Sequence, residues 1–142
     1  MRISQILNKK GSGVITVPAT STVRGLLATL DEWNIGAVLV VGDGGAIAGI
    51  ASERDVVRCL HTGGASILDG PVSGIMTAVV HTCTPDDPIE GLREIMTEHR
   101  VRHLPVMVDG ELVGIVSIGD VVKNAIDQLE AEREHLVQYI QH

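Results

Sequence analysis

Aromatic side chains are almost missing: the chain has no Phe, one Trp and one Tyr among 142 residues. Any core must be aliphatic, and hydrophobic residues at 44% are enough to build one from Val, Ile, Leu and Ala. Basic residues are also scarce, with 11 Lys and Arg against 18 Asp and Glu and a formal net charge of −7. That balance excludes a diffuse basic surface for nucleic acid, because phosphate binding is driven by Lys and Arg releasing counterions. Cysteine occurs only as Cys59 and Cys83, without metal-type spacing, so two small buried thiols in a reducing cytoplasm are expected. No apolar run reaches the ~18 residues that span a bilayer. The opening MRISQILNKKGSG has no apolar signal core. A soluble, cytoplasmic protein with no membrane partner is expected.

Catalytic motifs are missing too. There is no Gly-rich phosphate loop of the GxxxxGK type, no Ser-His-Asp order in a motif context, and no pair of carboxylates at rigid spacing. His99 and His103 have a metal-like helical spacing, but the helix should end near His99, so the two do not share a face. Neither catalysis nor a metal site is expected.

What the chain does have is an internal repeat. Sliding it along itself places Thr16-Val17 on Thr82-Cys83, Gly25-Leu26 on Gly91-Leu92, Ile35 on Val101 and Val40 on Val106. One extra residue sits in the Asp43-Gly44-Gly45 turn, after which Gly49-Ile50 matches Gly114-Ile115, Ser52 matches Ser117, and Asp55-Val56-Val57 matches Asp120-Val121-Val122. The expected divisions are a first repeat at 1–61, a Gly- and Ser-rich linker at 62–74, a second repeat at 75–126 and a helical extension at 127–142.

Each copy reads as a βαββα unit. In the second, 79–82 is a short extended lead-in. Asp87-Pro88-Ile89-Glu90 predicts a helix start, with Asp87 as cap, Pro88 at the first helical position and Glu90 completing a capping box. Ile89, Leu92, Ile95 and Met96 make one apolar face. Strands are predicted over 103–108 and 112–116 around the Asp109-Gly110 hairpin turn, and a long helix from near Ile118 to about Ile140. The first copy predicts helix at 22–34, strands at 37–41 and 46–51, and helix at 53–60. Units of this size are marginal alone, so one shared core in a single pseudo-symmetric domain is expected.

This order, with Arg102-His103-Leu104-Pro105-Val106-Met107 and Gly114-Ile115-Val116-Ser117-Ile118-Gly119-Asp120-Val121, resembles the CBS-domain (cystathionine β-synthase domain) family. Gly36-Ala37-Val38-Leu39-Val40-Val41 and Gly49-Ile50-Ala51-Ser52-Glu53-Arg54-Asp55-Val56 fill the same places in the first copy. Val72-Ser73-Gly74-Ile75-Met76-Thr77 is similar to the family's usual lead-in to a second copy. The resemblance covers nearly the whole chain. It implies an α/β fold of tandem βαββα repeats, a CBS-domain pair packed through its sheets, with a long C-terminal helix. Leu39 departs from the pattern: the family usually has Pro there, as Pro105 is in the second copy.

Ser52-Glu53-Arg54-Asp55 and Ser117-Ile118-Gly119-Asp120 share one spacing with two readings. As a capping box, Ser accepts from a backbone N–H and Asp reaches back. As a ligand site, a carboxylate accepts ribose hydroxyls, while the hydroxyl and N–H groups at a helix start hold phosphate. The resemblance implies that Asp55 and Asp120 bind ribose, assisted by Ser52 and Ser117. It also implies that Thr16 and Thr82 approach the ligand, and that Ile35, Gly36, Ala37, Val101, Arg102, His103 and Pro105 enclose the base. Arg54 could neutralise phosphate; its counterpart is Gly119, so the two sites cannot be equivalent. With no aromatic to stack on adenine, aliphatic side chains must sandwich it.

In the last helix, Val122, Ile126, Leu129, Arg133, Leu136 and Ile140 recur at alternating spacings of four and three, a heptad seam broken by Arg133. It fits either a helix lying on its own domain or pairing with a second copy of the chain. The combined expectation is a non-catalytic regulatory or sensor protein with no required cofactor. It would bind AMP, ADP, ATP or a related adenosine ligand such as NAD or S-adenosylmethionine between its repeats, form a homodimer, and signal to a protein target through a change in tilt. A purely structural dimerisation module is the rival.

Overall fold

Helices and strands alternate as the repeat predicts, with one helix added in front. The computed structural model describes residues 1–10, 13–78 and 81–141. Helix α1 (Ile3–Lys10) precedes the first copy, which runs β1 (Thr16–Pro18), α2 (Val23–Trp33), β2 (Ala37–Val41), β3 (Ile47–Ser52) and α3 (Glu53–Gly63). The second runs α4 (Ile89–Glu98), β4 (His103–Val108), β5 (Glu111–Ser117) and α5 (Ile118–Gln141). Short 3-10 turns at Ala65–Asp69 and Val72–Gly74 occupy the linker. Of the lead-in expected at 79–82, Val79 and Val80 lie outside the described residues, and Thr82 is exposed and in no strand.

The chain divides into two units, and the division does not follow the repeat boundaries. One unit holds Val14–His81; the other holds Thr82–His142 together with Met1–Gly13. The leading residues, expected within the first repeat, therefore fold with the second.

In the unit of Val14–His81 the sheet order is β1-β2-β3, with β1 parallel to β2 and β3 antiparallel to it. Thr22 caps α2 by accepting from the Gly25 N–H at 3.0 Å, and Val23, Leu26 and Leu30 turn inward at helical spacing. Val72 and Ile75 complete this core, and Thr77 pairs with Ile50 at the outer edge of β3. That approach requires Gly49, because a Cβ there would lie 2.6 Å from the Thr77 carbonyl oxygen.

The other unit has the hairpin β4-β5, turned by Asp109 and Gly110 with φ of 50° and 79°. Its counterpart of β1 is reduced, among the described residues, to the single bridge Cys83–Val106. Proline explains part of this. In the first copy the Leu39 N–H donates to Ile15 O at 3.4 Å, and Pro105 has no N–H to give. Helix α1 buries Ile3 and Ile6 beside Leu104, Val106 and Val116. Leu7 lies so close to β5 that a Cβ on Gly114 would stand 2.7 Å from its Cδ2.

Two expectations are corrected and one open alternative is narrowed. First, α4 begins at Ile89 with Pro88 as its cap residue and no side-chain capping bond. The Asp87 carboxylate turns back to the Thr84 N–H at 2.9 Å, closing a local turn, and the Ile89 N–H donates to Met1 O at 3.1 Å. A nearer donor has taken the side chain, as short carboxylates allow. Second, the buried apolar side chains form two clusters, one in each unit, and not one shared core. Each is enlarged by a leading segment, Ile3 and Ile6 in one and Val72 and Ile75 in the other. Of the two readings left open for α5, the structure limits the first: the helix does not lie on its own domain throughout. Residues 128–141 are exposed on every face, with Leu129 65%, Leu136 60% and Ile140 80% accessible.

Candidate functional site

Both Ser-x-x-Asp motifs sit where a strand ends and a helix begins, and both close as reciprocal caps. Ser52 Oγ accepts from the Asp55 N–H at 3.3 Å, and Asp55 Oδ2 accepts from the Ser52 N–H at 2.9 Å. Ser117 Oγ accepts from the Asp120 N–H at 3.2 Å, and Asp120 Oδ2 from the Ser117 N–H at 2.9 Å. The next N–H in each helix is taken across the hairpin: Glu53 donates to Gly36 O at 3.0 Å and Ile118 to Arg102 O at 2.9 Å.

That bond, with the strand register, gathers most of the expected residues. Ala37 pairs with Ser52, and His103 pairs with Ser117. So Gly36, Ala37, Ser52 and Asp55 converge in one unit, and Arg102, His103, Ser117 and Asp120 in the other. Ile35 and Val101 are half-buried behind them, packed on their respective cores. Thr16 does not converge in the same way: it stands in β1, on the far side of β2 from the motif. Pro105 is fully buried in β4, and Arg54 is exposed in the first turn of α3.

The two carboxylates differ in what they still offer. Asp55 is 3% exposed, and both of its oxygens are occupied by the protein. Oδ2 accepts from the Ser52 N–H and Oγ–H, and Oδ1 accepts from Thr77 Oγ1 at 3.2 Å and from the Arg58 guanidinium. That is about as many bonds as a carboxylate can accept. Asp120 is half-buried, and its side chain keeps 21% of its surface accessible. Lys10 Nζ donates to Oδ2 at 2.8 Å, beside the Ser117 N–H. Burial alone would raise the Asp120 carboxyl, but the Lys10 and Ser117 hydrogen bonds and the Lys10 charge outweigh it and hold the group below its ordinary range.

Arg58, Thr77 and Lys10 are the partners that sequence reading missed. Arg58 was detectable as the helical neighbour three residues after Asp55. Its counterpart Lys123 is exposed and takes no part in the Asp120 contacts. Thr77 and Lys10 lie in the two leading segments, which match internally: Ile3-Ser4-Gln5-Ile6-Leu7 aligns with Val72-Ser73-Gly74-Ile75-Met76, which sets Thr77 on Asn8 and leaves Lys10 two residues further on. Each segment lays Leu7 or Met76 against the strand glycine, Gly114 or Gly49, that precedes its motif.

The cysteines are not alike. Cys83 is buried, and burial first, then the Asp87 charge, push its thiol up to about 12. Cys59 is only half-buried, against the expectation of two buried thiols. Among the described residues no three His, Cys, Asp or Glu side chains gather into a metal-binding group, and no helix is long and apolar enough to cross a membrane.

The comparisons with known proteins agree with this fold. The CBS domain model matches residues 3–62 and 72–127, and the chain belongs to the CBS-domain family. It is 34% identical over 147 residues to the mitochondrial CBS domain-containing protein CBSX3 of Arabidopsis thaliana, covering 98% of this chain and 71% of that one. A CBS-domain protein of Agrobacterium tumefaciens has the same fold with a TM-score of 0.83 and 41% identity, covering 86% of this chain and 91% of its own. A CBS-domain protein of Pyrobaculum aerophilum, solved in complex with AMP, superposes with a TM-score of 0.74 at 30% identity, over 84% of this chain and 89% of its own.

Proposed function

We propose that this protein is a non-catalytic regulatory module that binds an adenosine-containing ligand at its Ser-x-x-Asp helix starts, chiefly at Ser117 and Asp120. The observation that carries the choice is the exposure of the carboxylate: the Asp120 side chain is 21% accessible and that of Asp55 4%. A ribose hydroxyl can reach Asp120 from solvent, whereas at Asp55 it must displace Thr77 or Arg58. Support for the ligand class comes from the AMP held by the Pyrobaculum protein. AMP, ADP and ATP head the list of ligands, with NAD and S-adenosylmethionine as related adenosine compounds. Arg102 and His103 would enclose the base, and the protein performs no chemistry on it. Regulation follows if the ligand binds one conformation better than another, with a protein target reading the difference.

The test is thermal unfolding with each adenosine compound. Ligand at 100 times its Kd adds about 2.7 kcal/mol of stability. A stabilised wild type and an Asp120→Asn variant that no longer responds would bear the reading out; no shift with any adenosine compound would sink it. A second reading, a dimerisation module without a ligand, draws on the reciprocal caps and on the exposed seam of α5. It requires a stable homodimer through Leu129 and Leu136, together with indifference to every nucleotide.

A further inference from the structure

The Lys10 side chain reaches the motif from a different element, the end of α1, and makes two bonds there. Its ammonium donates to Asp120 Oδ2 at 2.8 Å and to Ile115 O at 2.9 Å. The first copy has no equivalent. There the leading segment ends in a neutral donor, Thr77, and the guanidinium on Asp55 comes from Arg58 on the helix itself. The second copy thus has a mobile-stemmed cation at its carboxylate. Gly119 beside it offers no side chain, and among the described residues none accepts its N–H.

We infer that Lys10 is the charge-selecting residue of the Ser117–Asp120 site, exchanging its bond to Asp120 for one to a ligand phosphate, so that the site favours anionic adenosines over neutral or cationic ones. The inference rests on the adenosine reading above and narrows it. A ribose diol that engages both Asp120 oxygens must compete with the Lys10 ammonium at Oδ2. A neutral nucleoside offers the displaced ammonium nothing in return, and a sulfonium nucleoside adds a second cation. A 5′-phosphate supplies a new acceptor within reach of the flexible lysine stem. It would also lie at the start of a 24-residue helix, whose dipole and Gly119 N–H favour negative charge. Charge-assisted bonds to phosphate are among the stronger hydrogen bonds, so the exchange favours the phosphorylated ligand.

Titration calorimetry on the full chain, with adenosine, AMP and S-adenosylmethionine as probes, tests this. Wild type is expected to bind AMP at least about tenfold more tightly than adenosine, a difference of about 1.4 kcal/mol. S-adenosylmethionine should bind no better than adenosine. Lys10→Gln should bring AMP and adenosine to near-equal affinity, mainly by weakening AMP, while Lys10→Arg keeps the preference. Lys10 is a partly exposed side chain, and a cooperative thermal transition for Lys10→Gln without ligand would show that its fold is intact. If Lys10→Gln does not fold, Lys10→Met carries the same comparison. An AMP preference that survives in the neutral variant, or equal binding of AMP and adenosine by wild type, overturns the inference and leaves the adenosine reading standing. If wild type binds none of the three, the inference falls, and the adenosine reading falls with it when ADP, ATP and NAD fail as well.

Discussion

Replacing Asp55 with Ala and Asp120 with Ala should separate a carboxylate that holds the fold from one that is available to a ligand. Asp55 is buried and accepts from the Ser52 N–H, the Ser52 hydroxyl, Thr77 and Arg58. Losing the cap costs about 1 kcal/mol. Leaving the partly buried Ser52 and Thr77 donors without an acceptor adds roughly 1–3 kcal/mol. The Arg58 side chain is 71% exposed and turns to water, so its pair with Asp55 is discounted to nearly nothing. The sum is about 3 kcal/mol, which at ~3 °C per kcal/mol for a chain of this size lowers Tm by about 10 °C. For Asp120→Ala the same cap is lost, but Lys10 is 37% exposed in its side chain and can rehydrate. About 1 kcal/mol is expected there. Urea and thermal unfolding of both variants, followed by circular dichroism, read the difference. Nucleotide binding should show the reverse order, with Asp120→Ala losing more than Asp55→Ala. Equal destabilisation by the two changes would refute the claim that Asp55 is saturated by structural partners.

Other outcomes follow from single contacts. Gly49→Ala should destabilise by roughly 1–3 kcal/mol, because its Cβ would meet the Thr77 backbone oxygen at 2.6 Å; Gly114→Ala should cost less, since the Leu7 side-chain end can move. Denaturant midpoints of the two variants decide it. With its pKa up to about 12, Cys83 should resist a disulfide reagent in the native protein and react only on unfolding, while the half-buried Cys59 reacts first; one fast equivalent followed by one denaturant-dependent equivalent is the expected trace. Asp120 is held below its ordinary range, so its contribution to stability is complete above about pH 4 and is lost as pH falls through the lowered folded value. Lys10→Gln should therefore reduce the acid-dependent loss of stability, measured by urea unfolding at stepped pH.

Features set by neighbouring residues were legible in the sequence. The Asp109-Gly110 turn, the apolar faces of α2 and α4, and both Ser-x-x-Asp caps depend on residues a few positions apart, and each formed as read. The α4 cap shows how a local rule fails locally: Asp87 had two sets of N–H groups in reach, and the Thr84 turn won. Helix α1 was not legible, because eight residues with Ile3, Ile6 and Leu7 carry one weak apolar stripe. Its partners, Leu104, Val106 and Val116, lie about a hundred positions away. Short helices of this kind are stabilised by tertiary packing and not by propensity, so propensity could not announce it. The seam of α5 was read correctly as apolar, yet pattern alone could not say whether its own unit would cover it.

The same limit explains why part of the difference between the copies was not located from the sequence. Sequence comparison put it at Leu39 against Pro105 and, inside the motif, at Arg54 against Gly119, because those positions align and differ. In the folded chain Arg54 is exposed in the first turn of α3, and the Asp55 carboxylate takes its cation from Arg58 instead. The charge difference that reaches the carboxylates is delivered by the leading segments. Both dock alike, with Ile3 and Ile6 or Val72 and Ile75 in the core and Leu7 or Met76 against a strand glycine. They end differently, in Thr77 at Asp55 and in Lys10 at Asp120. A shared docking geometry lets the two ends vary without disturbing either core. One carboxylate is thereby buried and filled with bonds, and the other stays partly open to solvent.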